Sequence, residues 1–151
     1  TAASSSSIND GAAAMVMMRA TTATKLGARP LARIVAHAVH AQEPNWFATA
    51  PVGAVQKLLA KANWSVKDVD LWEVNEAFAV VPMALMRELG LSHDIVNVNG
   101  GACALGHPIG ASGARIMVTL IHALKARDLK RGVATLCIGG GEATAVAIEL
   151  L

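Results

Sequence analysis

Three short segments in the second half of the chain hold side chains that can do chemistry. Asn75-Glu76-Ala77-Phe78-Ala79 offers an amide, Gly106-His107-Pro108-Ile109-Gly110-Ala111-Ser112-Gly113 an imidazole, and Cys137-Ile138-Gly139-Gly140-Gly141 a thiol. Fixed N–H groups can stabilise an oxyanion, while imidazole and thiol can move protons near neutral pH. Together they suit acyl chemistry at a thioester, with one part missing. The chain reads as half of an active site.

Each segment also has a plainer reading. Cys137 follows an apolar run and enters three glycines, which let backbone and ligand approach closely and leave N–H groups free to donate. A thiol there can act as nucleophile or acid/base; a buried structural cysteine is the plain alternative. His107 lies between Gly106 and Pro108, just before a helix entrance formed by Gly110, Ser112 and Gly113. It can donate to an oxyanion or simply be a hydrogen-bonded turn residue. Asn75 can position a water or a carbonyl, or cap the helix that follows. Glu76 suits a helix N-terminus and needs no catalytic role. Cys103 and His107 are four apart, and His37 and His40 three apart. Gly106 and Pro108 interrupt any helix through the first pair, and the second lies at a strand end, so no metal site is expected.

The elements that must position these groups follow from periodicity and punctuation. The apolar run Ala12 to Met18 reads as a buried strand, Ala20 to Leu26 as a helix ended by Gly27, and Leu31 to Val39 as a strand. Thr49-Ala50-Pro51 opens a helix running to about Asn63, with Val52, Val55, Leu58, Leu59 and Ala62 on one face. Asp70 to Asn75 is a strand, and Ala77 to Leu89 a helix closed by Gly90. Ile95 to Val98 is a strand, Ala111 to Arg127 a helix, and 132–138 and 144–150 form a hairpin through the glycines. This alternation predicts an α/β domain with a mostly parallel five-stranded mixed sheet, helices on both faces, and one antiparallel strand from the final hairpin.

Composition narrows the classes. Charged residues make up 16% of the 151-residue chain against 54% hydrophobic. Soluble domains usually carry about a quarter charged residues, so part of this surface reads as covered by another domain or subunit. A net charge of +2 and scattered basic residues exclude a nucleic-acid binder. The cluster Lys125 to Arg131 fits a solvated helix end. No run of about 18 apolar residues occurs, so no spanning helix and no membrane partner are expected. Cys103 and Cys137 are expected as free thiols, and the first residues lack the pattern of a secretory signal. The expected compartment is the cytoplasm, with any organelle-targeting segment upstream of residue 1.

In combination the segments resemble the C-terminal half of the thiolases, the acetyl-CoA acetyltransferase and 3-ketoacyl-CoA thiolase group. The likeness spans residues 1–151 as one C-terminal domain. It is carried by Ile8-Asn9-Asp10-Gly11-Ala12-Ala13, by Asn75 to Ala79, by Asn97-Val98-Asn99-Gly100-Gly101-Ala102 leading into Gly106 to Gly113, and by Cys137 to Gly141. Any one segment is weak; four in this order are specific. The resemblance implies a reversible Claisen condensation of two acyl-CoA molecules to a 3-ketoacyl-CoA plus CoA, within fatty-acid metabolism. It implies coenzyme A and acyl-CoA as substrates with no prosthetic group, a thiolase N-terminal half bearing the nucleophilic cysteine, and a homodimer or homotetramer.

By position, Cys137 resembles the acid/base cysteine that takes the α-proton of the acceptor acetyl group. His107 resembles the oxyanion donor and partner of the nucleophile, Asn75 the holder of a water in the first oxyanion hole, and Gly139 an N–H donor to the second. Ser6, Phe47, Ala77 and Phe78 match positions that contact coenzyme A. The opening loop departs from the family pattern. Ala3 to Ser7 stands where Gly-Asn-Ala-Ser-Gly is usual, and Ala48 and Ala50 replace glycines. Alone, the chain is expected to be inactive. The alternative is a stand-alone thiolase-like binding or assembly domain, which would need none of Asn75, His107 and Cys137. A dehydrogenase-type nucleotide binder lacks its glycine fingerprint, and the related ketoacyl synthases lack the Cys-x-Gly-Gly-Gly pattern.

Overall fold

The computed structural model of the chain describes residues 1–151. Strands β1 (Ala32–Ala41), β2 (Leu71–Val74), β3 (Arg131–Cys137) and β4 (Glu142–Leu150) form one sheet in the order β1-β4-β3-β2. The helices are α1 (Ala20–Lys25), α2 (Ala50–Ala62), α3 (Val80–Leu89), α4 (Ala102–Leu105) and α5 (Ser112–Ala126). No helix is long and apolar enough to cross a membrane.

The α/β class with helices on both faces agrees with the sequence; the strand count and the pairing need correction. β2 pairs parallel with β3, while β4 is antiparallel to both β3 and β1. Three strands therefore run one way and β4 the other, as the final hairpin requires. Because β4 lies between β1 and β3, two of the three pairings are antiparallel, and the sheet is not mostly parallel in its hydrogen bonding.

The expected strand at Ile95 to Val98 is reduced to one parallel bridge, Trp72 to Val96. The reason is Asn97, whose φ of 48° turns the chain left-handed. Its side-chain amide then replaces the next backbone rung. Val74 N–H donates to Asn97 Oδ1 at 2.8 Å, and Asn97 Nδ2 donates to Val74 O at 2.9 Å.

Ala12 to Met18 forms no strand either. The run has no pairing partner, with Val16 87% and Met17 69% exposed. Met15, Met17, Leu31, Met117 and Ile121 line an apolar hollow of about 860 Å³ beneath it. Apolar composition identified a segment that favours burial, but not what would bury it.

Two cores flank the sheet. On one face Val55 and Leu58 of α2 and Val81 and Leu85 of α3 pack against Trp72, Val74 and Val133. Small Ala143, Ala145 and Ala147 of β4 join the same core and let α2 lie close to the sheet. On the other face Ile116, Leu120 and Leu124 of α5 cover Leu71, Ala134 and Ile148. Each fully buried large aliphatic side chain stabilises the fold by about 1.5–3 kcal/mol. α5 is thereby fixed against β2 and β3, with its first turn at their carboxyl ends.

Candidate active site

The sheet edge where β2 and β3 end gathers the reactive groups. Asn75 N–H donates to Thr135 O at 3.0 Å, continuing the parallel pairing one step past β2. Asn75 therefore leaves the sheet at the edge where β3 delivers Cys137. Open α/β sheets collect ligands at this carboxyl edge. Asn75 caps no helix: α3 begins only at Val80, with Ala79 as its cap. The plainer reading of this residue fails.

His107 is held between two partners. Asn75 Nδ2 approaches its Nε2 at 3.3 Å, and Ser112 Oγ lies 2.6 Å from its Nδ1. Ser112 Oγ also donates to Pro108 O at 3.1 Å. A hydroxyl has one proton, so with that proton on the Pro108 carbonyl, Ser112 accepts from His107 Nδ1–H. Nε2 then carries the lone pair. The polar chain runs one way: Asn75 N–H to Nε2, Nδ1–H to Ser112, O–H to Pro108. Burial lowers the proton affinity of His107 below its ordinary value, and the positive charge of Arg115 adds to that. The arrangement favours a neutral imidazole whose basic nitrogen faces Asn75.

Local sequence explains the geometry. Gly106 has φ of 92°, and a side chain there would meet Asn9. Only glycine allows the chain to turn into His107 at that spot. The opening segment buttresses the same point through an Ile8–His107 bridge and a 2.8 Å bond from His107 N–H to Ser7 O. Asn75 and Ser112 are each 1% exposed, and Asn75 Oδ1 is buried without a protein partner.

Cys137 closes β3 and is half-buried against the α2–α3 core, where burial pushes its thiol above the ordinary range. It makes no hydrogen bond to Asn75 or His107. After it, Ile138 N–H donates to Glu142 O at 2.8 Å and Gly141 N–H to Ile138 O at 3.1 Å. Gly139 N–H takes no part in this turn and is available to donate outward. Gly141, at φ of 94°, passes so close to Gln42 O that no side chain fits.

The expected coenzyme A positions also converge. Ser6 Oγ donates to Ala77 O at 2.9 Å, Ser5 bridges Phe78, and the Phe47 and Phe78 rings meet edge-on at 6.0 Å. The opening loop is tied down through its backbone, as Ser4, Ser6 and Ser7 bond to the segments carrying Phe78 and His107.

Sequence reasoning missed several supports. Ser112 was a helix-entrance residue only. Glu76 was expected to favour a helix dipole; instead its carboxylate accepts from Asn97 Nδ2 at 2.9 Å and from Cys103 N–H at 3.0 Å. Glu73 is 2% exposed in a strand whose other residues are apolar, opposite Arg115 at 3.6 Å. An acid inside Leu71-Trp72-Glu73-Val74 was the available signal, because such a group must find a partner.

These observations define a class: an α/β domain that carries an Asn–His–Ser polar chain and a half-buried thiol at one sheet edge. The chain belongs to the thiolase family, matching the model of the thiolase C-terminal domain over residues 28–150. It is 53% identical over 149 residues to the acetyl-CoA acetyltransferase of Chromobacterium violaceum and 51% identical to the cytosolic acetyl-CoA acetyltransferase of Mus musculus. Each match covers 99% of this chain and 38% of the relative, so the chain spans well under half their length. Among solved structures, the Bacillus anthracis acetyl-CoA acetyltransferase superposes with a TM-score of 0.97 at 48% identity, over 100% of this chain and 38% of the other. The Acat5 thiolase of Ascaris suum, solved with coenzyme A, gives 0.89 at 42% identity, over 100% and 39%.

Proposed function

We propose that these residues are the C-terminal catalytic domain of an acetyl-CoA acetyltransferase, acting with an N-terminal half that supplies a nucleophilic cysteine. The reaction is reversible: two acyl-CoA molecules condense to 3-ketoacyl-CoA and free CoA. The observation that carries the reading is the one-way chain Asn75–His107–Ser112, which leaves a basic Nε2 on a neutral imidazole.

In this reading His107 Nε2 takes the proton of the incoming cysteine thiol. As an imidazolium it donates to the oxyanion formed at the thioester carbonyl. Asn75, with its unpartnered buried Oδ1, holds a water that gives the second donor. Cys137 then removes the α-proton of the second acetyl group, and Gly139 N–H supports the resulting enolate oxygen. The raised thiol pKa of Cys137 matches a base that must pick up and return a proton. As the acyl-enzyme forms, Cys137 gives its thiol proton to the departing CoA thiolate, which leaves the thiolate that then takes the α-proton. Ser6, Phe47, Ala77 and Phe78 line the approach of the coenzyme A moiety. The whole enzyme is proposed to be a cytoplasmic homodimer or homotetramer.

The test is thiolysis of acetoacetyl-CoA and condensation of acetyl-CoA by the full-length protein, with Cys137→Ser and His107→Ala beside the parent. Loss of an acid/base group is expected to lower turnover by about 10²–10⁴-fold. Near-normal condensation by Cys137→Ser would remove that residue from the chemistry, and an inactive parent would overturn the function.

A further inference from the structure

The Asn–His–Ser chain does not account for a second polar cluster directly behind it. Glu73 lies two residues before Asn75 on β2, and Arg115 lies three after Ser112 on α5. Arg115 Nη1 stands 3.6 Å from Glu73 Oε2 and also reaches Thr119 Oγ1 at 3.5 Å. Glu73 Oε1 is buried with no partner. These contacts close a ring. His107 touches Asn75 on one side and Ser112 on the other; Asn75 continues along β2 to Glu73, and Ser112 continues along α5 to Arg115.

The geometry points to Glu73 and Arg115 as positioning residues for His107: the buried carboxylate and the partly buried guanidinium tie the end of β2 to the first turn of α5, holding both partners of the imidazole. The positive charge of Arg115 also disfavours the imidazolium. Neither residue touches a substrate position, so they act through His107.

An acid and a base at these places are hard to explain by packing alone. A buried ion pair seldom stabilises a fold more than apolar residues of the same size. β2 here faces α5 through Leu71, Ile116 and Leu120, a core that would accept such residues. What the pair adds is direction and charge. Its orphan oxygen and 3.6 Å separation mark an unsaturated contact, sensitive to small shifts of α5 against β2.

The titratable and charged groups around the ring are few. β2 and its exit contribute Glu73 and Glu76, α4 contributes Cys103, and α5 contributes Arg115. The opening segment brings Asp10, two residues past Ile8 and its bridge to His107. β3 places uncharged Ala134 opposite Glu73. Glu73 itself is raised to about 7, by burial first, against the lowering effect of Arg115. Arg115 is thus the one cation in the group, and it is neutralised only as Glu73 ionises near neutrality.

The test uses the full-length protein and reads the histidine directly. The His107 ring resonance is titrated by NMR in the parent, Arg115→Met and Arg115→Lys, and kcat and KM are measured for Glu73→Gln. Arg115→Met removes a cation beside the imidazole, so the His107 midpoint is expected to rise by about half a pH unit or more. Arg115→Lys retains the charge and is expected to stay near the parent. Glu73→Gln is expected to lower kcat roughly tenfold at pH 8 with KM little changed, because substrate contacts are untouched. Ionisation of Glu73 is expected to give the parent's kcat an inflection near pH 7, and Glu73→Gln is expected to lack it. An unchanged His107 midpoint in Arg115→Met, with its fold intact by circular dichroism, overturns the inference; so does an equal shift in Arg115→Lys. The kinetic arm rests on the acetyltransferase reading, whereas the titration does not. A shifted midpoint in a protein without thiolysis activity would sink that reading and leave this one standing.

Discussion

Replacing Ser112 with Ala isolates the second partner of the imidazole. The substitution removes one oxygen that is 1% exposed, lies 2.6 Å from His107 Nδ1 and donates to Pro108 O at 3.1 Å. Two losses follow. The Pro108 carbonyl loses a donor, worth about 1 kcal/mol of stability for a neutral hydrogen bond. The larger loss falls on the imidazolium, which needs an acceptor at Nδ1 when Nε2 has taken a proton. Hydrogen bonds to charged groups contribute about 1.5–3 kcal/mol, and each 1.4 kcal/mol is a factor of ten in rate, so turnover is expected to fall roughly ten- to hundredfold. The sign on pH is also fixed. Losing an acceptor disfavours the charged ring, so the His107 midpoint moves further down from its already lowered position. The assay is acetoacetyl-CoA thiolysis by the full-length protein from pH 5 to 9. Ser112→Ala at more than half the parent rate across that range, with an unmoved acid limb, would refute the tautomer assignment and the one-way chain built on it.

Two further outcomes follow from groups whose proton affinity the fold alters. Glu73 is raised from 4.5 to about 7, so the folded state binds its proton more tightly than the unfolded state does. That stability is fully present below pH 4.5 and is lost as pH rises through 7, about 3 kcal/mol at most. Urea unfolding of the full-length protein at pH 5 and pH 8 checks this: Glu73→Gln is expected to flatten the difference, and an unchanged slope counts against the burial argument. Burial also raises the Cys137 thiol. Iodoacetamide labelling followed by mass spectrometry is therefore expected to be slower at pH 7 than for an exposed peptide cysteine and to climb steeply with pH, whereas faster labelling at pH 7 would indicate an activated thiolate in the resting state.

The parts legible in the sequence are those where local chemistry decides the outcome. Gly90 at φ of 67° ends α3 and the triple glycine turns β3 into β4, as expected, and α2 ends at Asn63, where its helix was expected to stop, with a φ of 55° that its sequence did not indicate. The apolar face read for α2 turns inward because its spacing allows only one buried side. The failures have a different origin. Ile95 to Val98 has the composition of a strand, but Asn97 substitutes its own amide for the backbone rung, a choice that depends on Val74 being opposite. Ser112, Glu73 and Arg115 gain their roles only when β2 and α5 meet; the acid inside an apolar strand signals that a partner is needed, but no local pattern says which.

Ala12 to Met18 fails for a reason that bears on function. Its side chains are as apolar as those of any strand here, yet the run pairs with nothing, while Ile8, four residues earlier, is bridged to His107. One end of the segment is therefore anchored in the site and the other faces solvent above an apolar hollow. Stable monomers rarely expose apolar patches of this kind, and the low charge content of the chain points the same way. The proposed N-terminal half accounts for both. It would bury the run and hollow, and it would bring the missing cysteine toward His107 along a segment already attached there. Site completion and surface burial would then be one docking event, and under that proposal the apolar run would serve the site as well as the core.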